Sequence, residues 1–183
     1  MRRLFALAVM LIGLAGCTIP GFEAPPAAQL GDFSLGHNIV IAPNPHQGPG
    51  SREATSDELI NAVHGAIEDK LRAYDGDKLY NLGISVDGYS LAEAGVPVVL
   101  SPKSVLILHI TVWDDAAQTK LNDEAYQMIV IEDVTAKSIF GSGYFSTGDQ
   151  QLNALADKTA LLLEDWLEEN NAWFGVEAGV TAE

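Results

Sequence analysis

The sequence predicts an α+β domain: two layers, a mostly antiparallel sheet of about five strands, and two helices on one of its faces, in the order β-α-β-β-β-β-α. Three observations carry this expectation. Residues 55–74 and 147–167 repeat apolar positions at helical spacing behind capping-box sequences. Residues 80–87 alternate apolar with polar or small side chains, the period of a half-buried strand. Residues 105–113, Val-Leu-Ile-Leu-His-Ile-Thr-Val-Trp, are dominated by strong β-formers and apolar at nearly every position, as a central strand would be.

Taken in order, His37 to Ala42 reads as the first strand, stopped by Pro43 and Pro45. A Pro- and Gly-rich loop follows. Thr55 and Glu58 are spaced to cap a helix reciprocally, hydroxyl to one free amide and carboxylate to another. Leu59, Val63, Ile67 and Leu71 make its apolar face, and Asp75-Gly76 is placed to end it in a left-handed cap. After the strands at 80–87 and 105–113, residues 126–131 and 138–145 flank a polar turn at 132–137 and read as a hairpin. The second helix opens on Thr147-Gly148-Asp149-Gln150. It buries Leu152, Leu155, Thr159, Leu162, Leu163, Trp166 and Leu167. One domain spanning 37–174 suits this length, and residues 175–183 read as a loose acidic tail.

The N-terminus has a different character. Arg2-Arg3 precedes an apolar stretch, 4–14, which is too short for the roughly 20 residues of a membrane span. With small residues at Ala15 and Gly16, residues 1–16 have the layout of a secretory signal. The run Leu14-Ala15-Gly16-Cys17 ends on the only cysteine of the chain. Residues 17–36 hold Pro20, Gly21, Pro25, Pro26 and Gly31 and read as a flexible tether.

Leu14-Ala15-Gly16-Cys17 resembles the lipobox of bacterial lipoproteins. The resemblance implies cleavage between Gly16 and Cys17, a diacylglycerol on the Cys17 sulfur and acylation of the new amine. One acyl chain holds a protein only marginally, with a constant of about 10⁴ M⁻¹, whereas two or more hold it stably. Thr18 stands after the cysteine where an aspartate would resemble inner-membrane retention, so the implied destination is the outer membrane, facing the periplasm. Lipobox, tether and a β-α-(β)n-α body together resemble small Gram-negative envelope lipoproteins. Auxiliary lipoproteins of ABC-type transport systems and the lipopolysaccharide-assembly lipoprotein share that layout. Only the lipobox is motif-specific within it.

Charge excludes some functions. The chain carries 10 Lys+Arg against 25 Asp+Glu, a formal net charge of −15, with the basic residues of the body scattered. Nucleic-acid binding needs a basic patch to replace phosphate counterions, and anionic lipid surfaces repel a field of this sign. The membrane partner is therefore expected through the Cys17 lipid. With the one thiol consumed there, no disulfide is expected despite an oxidising compartment.

No catalytic constellation is legible. Gly141-Ser142-Gly143 lacks both the nucleophile-elbow spacing and the Lys-Ser/Thr of a phosphate loop. His37, His46, His64 and His109 are isolated. His64 is placed to pair with Glu68 one turn on, and His109 reads as a hydrogen-bonded structural histidine. Asp114-Asp115, Glu132-Asp133 and Asp75-Gly76-Asp77 lack the spacing of a calcium loop, so neither metal nor cofactor is expected.

The expected function is a non-catalytic binding or auxiliary lipoprotein that meets an envelope protein, in transport or assembly. Trp113 and Trp173 are its candidate contacts. The alternative is a lipid-anchored hydrolase, which would need His64 or His109 beside a carboxylate in a deep cleft. A closed two-layer domain with an apolar surface patch would instead favour the binder.

Overall fold

The computed structural model describes residues 28–92, 104–132 and 148–177. Strand β1 (Ser34–Ile41) and the two-residue β2 (His46–Gln47) precede helix α1 (Ser56–Leu71). Then come β3 (Leu79–Ser90), β4 (Val105–Asp114), the short β5 (Thr119–Lys120), β6 (Tyr126–Ile131), helix α2 (Gly148–Glu169) and a 3-10 turn, Asn171–Phe174. The α+β class is as the sequence predicts, with both helices on one sheet face. The sheet is mixed. β1 and β2 run parallel to β3, while β3–β4, β4–β5 and β4–β6 are antiparallel. Of the expected elements, the strand at 138–145 lies outside the described residues.

Alternation sets the two faces. Tyr80, Leu82, Ile84 and Val86 of β3 and Leu106, Leu108, Ile110 and Val112 of β4 are buried beneath the helices. Leu59, Val63, Ile67 and Leu71 of α1 meet them, with Leu155, Leu163 and Leu167 of α2. The Thr55–Glu58 capping box forms as expected, Thr55 Oγ1 accepting from the Glu58 amide at 3.2 Å and Glu58 Oε2 accepting from the Thr55 amide at 2.7 Å.

Three local expectations are corrected. The packed body begins before His37. Leu30, Phe33 and Leu35, assigned from sequence to the tether, are buried. Phe33 stacks on Tyr80 at 5.6 Å and meets Phe174 edge-on at 5.0 Å. The entering chain is also pinned beside the C-terminal end of α2. The Gln29 amide donates to Glu168 Oε1 at 2.8 Å and the Asp32 amide to the Phe174 carbonyl at 2.9 Å. Prolines and glycines suggested a tether here, but the spacing Leu30, Phe33, Leu35 supplies the side chains that close one end of the core.

Gly76 is not the helix cap. α1 ends at Leu71, with Arg72 still in right-handed helical conformation at the cap. Gly76 is needed for closeness, since a Cβ there would stand 2.4 Å from the Phe33 nitrogen. Nor does Glu68 pair with His64. It takes the Arg72 guanidinium instead, which holds its carboxyl below the usual range.

One buried charged group was not foreseen. Glu164 of α2 accepts from the Tyr74 hydroxyl and pairs with Lys70 Nζ at 2.7 Å, joining the two helices. Burial, followed by this carboxylate, pushes the Tyr74 hydroxyl well above its ordinary pKa.

Candidate functional site

The sheet face opposite the helices is uncovered among the described residues. The side chains that alternate with the core stand on it: Ile39 and Ile41 from β1, Gly83 and Ser85 from β3, Ile107, His109, Thr111 and Trp113 from β4, and Ile129 and Ile131 from β6. Ile39, Ile41, Ile129 and Ile131 are 58%, 50%, 54% and 44% exposed. Sheets with one solvated face ordinarily alternate to polar residues there. Here Ile39, Ile41, Ile107, Trp113, Ile129 and Ile131 stand outward on the two sides of the polar row Ser85–His109–Gln127, more apolar surface than a solvated sheet face needs.

A β-bulge organises the middle of this face. The register between β3 and β4 shifts between Val86 and Gly88, which leaves Asp87 unpaired and turned outward. Ser85 lies directly opposite His109. The Ser85 hydroxyl donates to Asp87 Oδ1 at 2.5 Å, and His109 Nδ1 bonds Asp87 Oδ2. The Ser85 hydroxyl first, and then the His109 ring, hold the Asp87 carboxyl below its ordinary range against partial burial. The expected structural histidine is thus hydrogen-bonded, and its partner is a carboxylate that sequence reasoning missed. Ser85-x-Asp87 at strand period was the available signal, but the bulge that aims Asp87 at His109 leaves no mark in residue types.

His109 separates two shallow hollows, both open to solvent. One, of about 340 Å³, lies among Ile39, Ile41, Gly83, Thr111 and Trp113, with Lys120 at its edge. The other, of about 380 Å³, lies among His46, Gly88, Ser90, Val105, Ile107 and Gln127. Neither is the deep cleft a hydrolase would need. The order of groups is also wrong for acyl transfer. An activated serine must give its proton to a histidine that a carboxylate orients from behind. Here the carboxylate stands between serine and histidine, so Ser85 donates to Asp87 and is not deprotonated by His109.

The other sequence-chosen residues are dispersed. Trp113 is on the open face and 41% exposed. Trp173 is not an exposed contact. It is half-buried, edge-on to Trp166 at 5.5 Å and to Phe174 at 6.2 Å, because the 3-10 turn folds back over the end of α2. His64 lies on exposed α1. Asp114 Oδ1 accepts from the Ala117 amide and Asp115 Oδ1 from Asn81 Nδ2, which gives both carboxylates structural work at the β4–β5 turn. Among the described residues, no group of three or more His, Cys, Asp or Glu side chains is arranged to hold a metal ion, and no helix is long and apolar enough to cross a membrane. Cys17, Asp133 and Gly141-Ser142-Gly143 lie outside the described residues.

No protein-family model and no curated protein sequence matches the chain. Among solved structures it is similar to a protein from Caulobacter crescentus CB15 provisionally described as a lipoprotein, at 10% identity and a TM-score of 0.42, over 80% of this chain and 95% of that one. It is also similar to protein XCC0632 from Xanthomonas campestris, of family model DUF330, at 15% identity and a TM-score of 0.44, over 83% and 93% of the two chains. A third is the minor lipoprotein from Acinetobacter baumannii, at 14% identity and a TM-score of 0.29, over 73% and 93%. Scores this low transfer neither function nor site to this chain.

Proposed function

We propose that this chain is a lipid-anchored, non-catalytic lipoprotein of the bacterial envelope, held through acylated Cys17 and binding a protein partner on its open sheet face. The observation that carries the binding role is the apolar surface of that face on a chain of net charge −15. Polar or charged residues at Ile39, Ile41, Ile129 and Ile131 would keep a solitary domain soluble at no cost to its core, because these side chains point away from it. The lipobox residues Leu14-Ala15-Gly16-Cys17 support the place of action, with the outer membrane as destination and a role in envelope transport or assembly. The hydrolase alternative loses its support in the order Ser85–Asp87–His109 and in the shallowness of the hollows on either side.

Two experiments test this reading. Cys17→Ser should leave the membrane fraction and run unprocessed on a gel; a variant that stays membrane-bound with unchanged mobility would refute lipidation. Chemical crosslinking in cells, followed by purification of the tagged, acylated chain, should recover a protein bound through the open face. Replacing Ile39 and Ile129 with Glu should abolish that recovery. Recovery unaffected by both substitutions would refute the assignment of the face.

A further inference from the structure

The arm that enters the body and the turn that follows α2 hold one another. Residues 28–33 pair with no strand, yet Leu30 and Phe33 are buried. The turn Asn171–Phe174 pairs with no strand either, yet Phe174 is buried. The Asp32 amide donates to the Phe174 carbonyl at 2.9 Å, and Asn171 Nδ2 donates to the Gln29 carbonyl at 3.2 Å. Glu168 Oε1, in the last turn of α2, accepts from the Gln29 amide at 2.8 Å. Phe33 and Phe174 meet edge-on over Tyr80, whose hydroxyl donates to the Trp173 carbonyl at 3.3 Å. On its other side the arm rests on the turn after α1, where the Gly76 amide donates to the Phe33 carbonyl at 2.9 Å and the Asp77 amide to Asp32 Oδ1 at 2.6 Å.

Gly31 lies where arm and turn come closest. Its φ is +69°, in the left-handed region, and a Cβ there would stand 2.6 Å from Val176 Cγ2 and 2.9 Å from the Phe174 carbonyl oxygen. Gly175, at φ +86°, bends the chain back so that the Val176 amide reaches the Asn171 carbonyl at 3.3 Å and Val176 comes to lie on Gly31. The closure is therefore made of backbone against backbone, which a side chain on Gly31 would force apart.

We infer that residues 171–176 form a clasp on the arm, fixing where the folded body ends and the slack chain toward Cys17 begins. Segments without ladder pairing open at lower cost than the sheet they lie on. Arm and turn thus open together as one local unit, and β3 and β4 take no part. Opening would add six residues, 28–33, to the slack chain, about 20 Å at full extension. The reach of the body from its anchor is then set by a turn 142 positions away in the chain. This role in reach rests on the reading of Cys17 as lipidated; the clasp itself does not.

The test is hydrogen exchange followed by mass spectrometry on the full chain, purified with its anchor in detergent micelles. Gly31→Ala forces a methyl group into the clasp. Expected is exchange at least tenfold faster in both 28–34 and 171–176, with 82–86 of β3 and 106–112 of β4 within twofold of the parent. Acceleration of 28–34 without 171–176 overturns the inference, because the two segments would not hold one another. Equal acceleration of β3 and β4 overturns it too, since arm and body would then be one unit. A second variant, Glu168→Ala with Asn171→Ala, removes two surface bonds to Gln29 and leaves the buried side chains untouched. It should quicken exchange in 28–34 at least threefold, and an unchanged rate there overturns the inference even if Gly31→Ala does not fold. The mass of the peptide containing Cys17 separates the two readings. An unmodified cysteine would refute lipidation, and with it the role in reach, while leaving the clasp in place.

Discussion

Whether the chain from Leu30 onward belongs to the folded body can be decided with two glycines. At Gly76 a Cβ would stand 2.4 Å from the Phe33 nitrogen, 2.6 Å from the Asp32 carbonyl carbon and 2.7 Å from that of Phe33, all backbone atoms. None of these can swing aside as a side chain would. Overpacking of this kind costs about 1–3 kcal/mol. The 2.9 Å bond from the Gly76 amide to the Phe33 carbonyl would be strained as well, adding about 1 kcal/mol. Gly76→Ala should therefore destabilise by about 3 kcal/mol. Gly65 is the control. It lies within α1 with nothing within 4 Å of its would-be Cβ, so Gly65→Ala should stabilise by about 1 kcal/mol through helix propensity. At about 2–4 °C per kcal/mol for a chain of this size, thermal melts followed by far-ultraviolet circular dichroism should fall by about 9 °C for Gly76→Ala and rise by about 3 °C for Gly65→Ala. A Gly76→Ala melt within 1 °C of the parent would mean that residues 30–36 are not packed against the Asp75–Asp77 turn, and the earlier start of the body would be wrong.

Four further outcomes are expected. Phe33→Ala should cost about 3–5 kcal/mol in urea denaturation, because Phe33 is fully buried among Tyr74, Tyr80 and Phe174; a loss under 1 kcal/mol would restore the tether assignment. The depressed pKa of Asp87 means that the unfolded state binds the proton more readily, so its contribution to stability is present above the ordinary carboxylate range and lost as pH falls below about 4; Asp87→Asn should flatten that part of the acid profile, and an unchanged profile would show that the cluster contributes nothing. The raised pKa of Tyr74 has the opposite sign, giving stability that is full below about pH 10 and lost as pH rises beyond it; Tyr74→Phe should remove a late-titrating tyrosinate from the ultraviolet absorbance titration. Acrylamide should quench Trp113 emission preferentially over that of Trp166 and Trp173, so Trp113→Phe should remove most of the accessible fluorescence, and undiminished quenching would place Trp113 under cover.

The elements legible in the sequence are those whose signals are local. The Thr55–Glu58 box and the four-residue spacing Leu59, Val63, Ile67, Leu71 place the start and the buried face of α1, because capping and helical periodicity are decided within one turn, while its end at Leu71 comes three residues before the expected one. The run at 105–113 marks β4 for the same reason, since strong β-formers alternate onto both faces. What escaped depends on partners distant in the chain. Leu30, Phe33 and Leu35 look like a tether until Tyr80 and Phe174 come to meet them. Gly76 looks like a helix cap until the Phe33 backbone is laid against it. Asp87 had no visible partner because a one-residue bulge aims it at a histidine 22 positions away. The open face was half legible: Trp113 was chosen for its chemistry, while the four exposed isoleucines read simply as strand residues.

The point where the chain enters the body has a consequence for posture. With residues from Leu30 onward packed, only ten residues, 18–27, separate Cys17 from Ala28, a leash of at most about 35 Å when taut. It attaches beside the end of α2, on the helical layer. If Cys17 carries lipid, the body would be held within that reach of the bilayer by its helical layer, and the open sheet face would not be the side at which it is tethered.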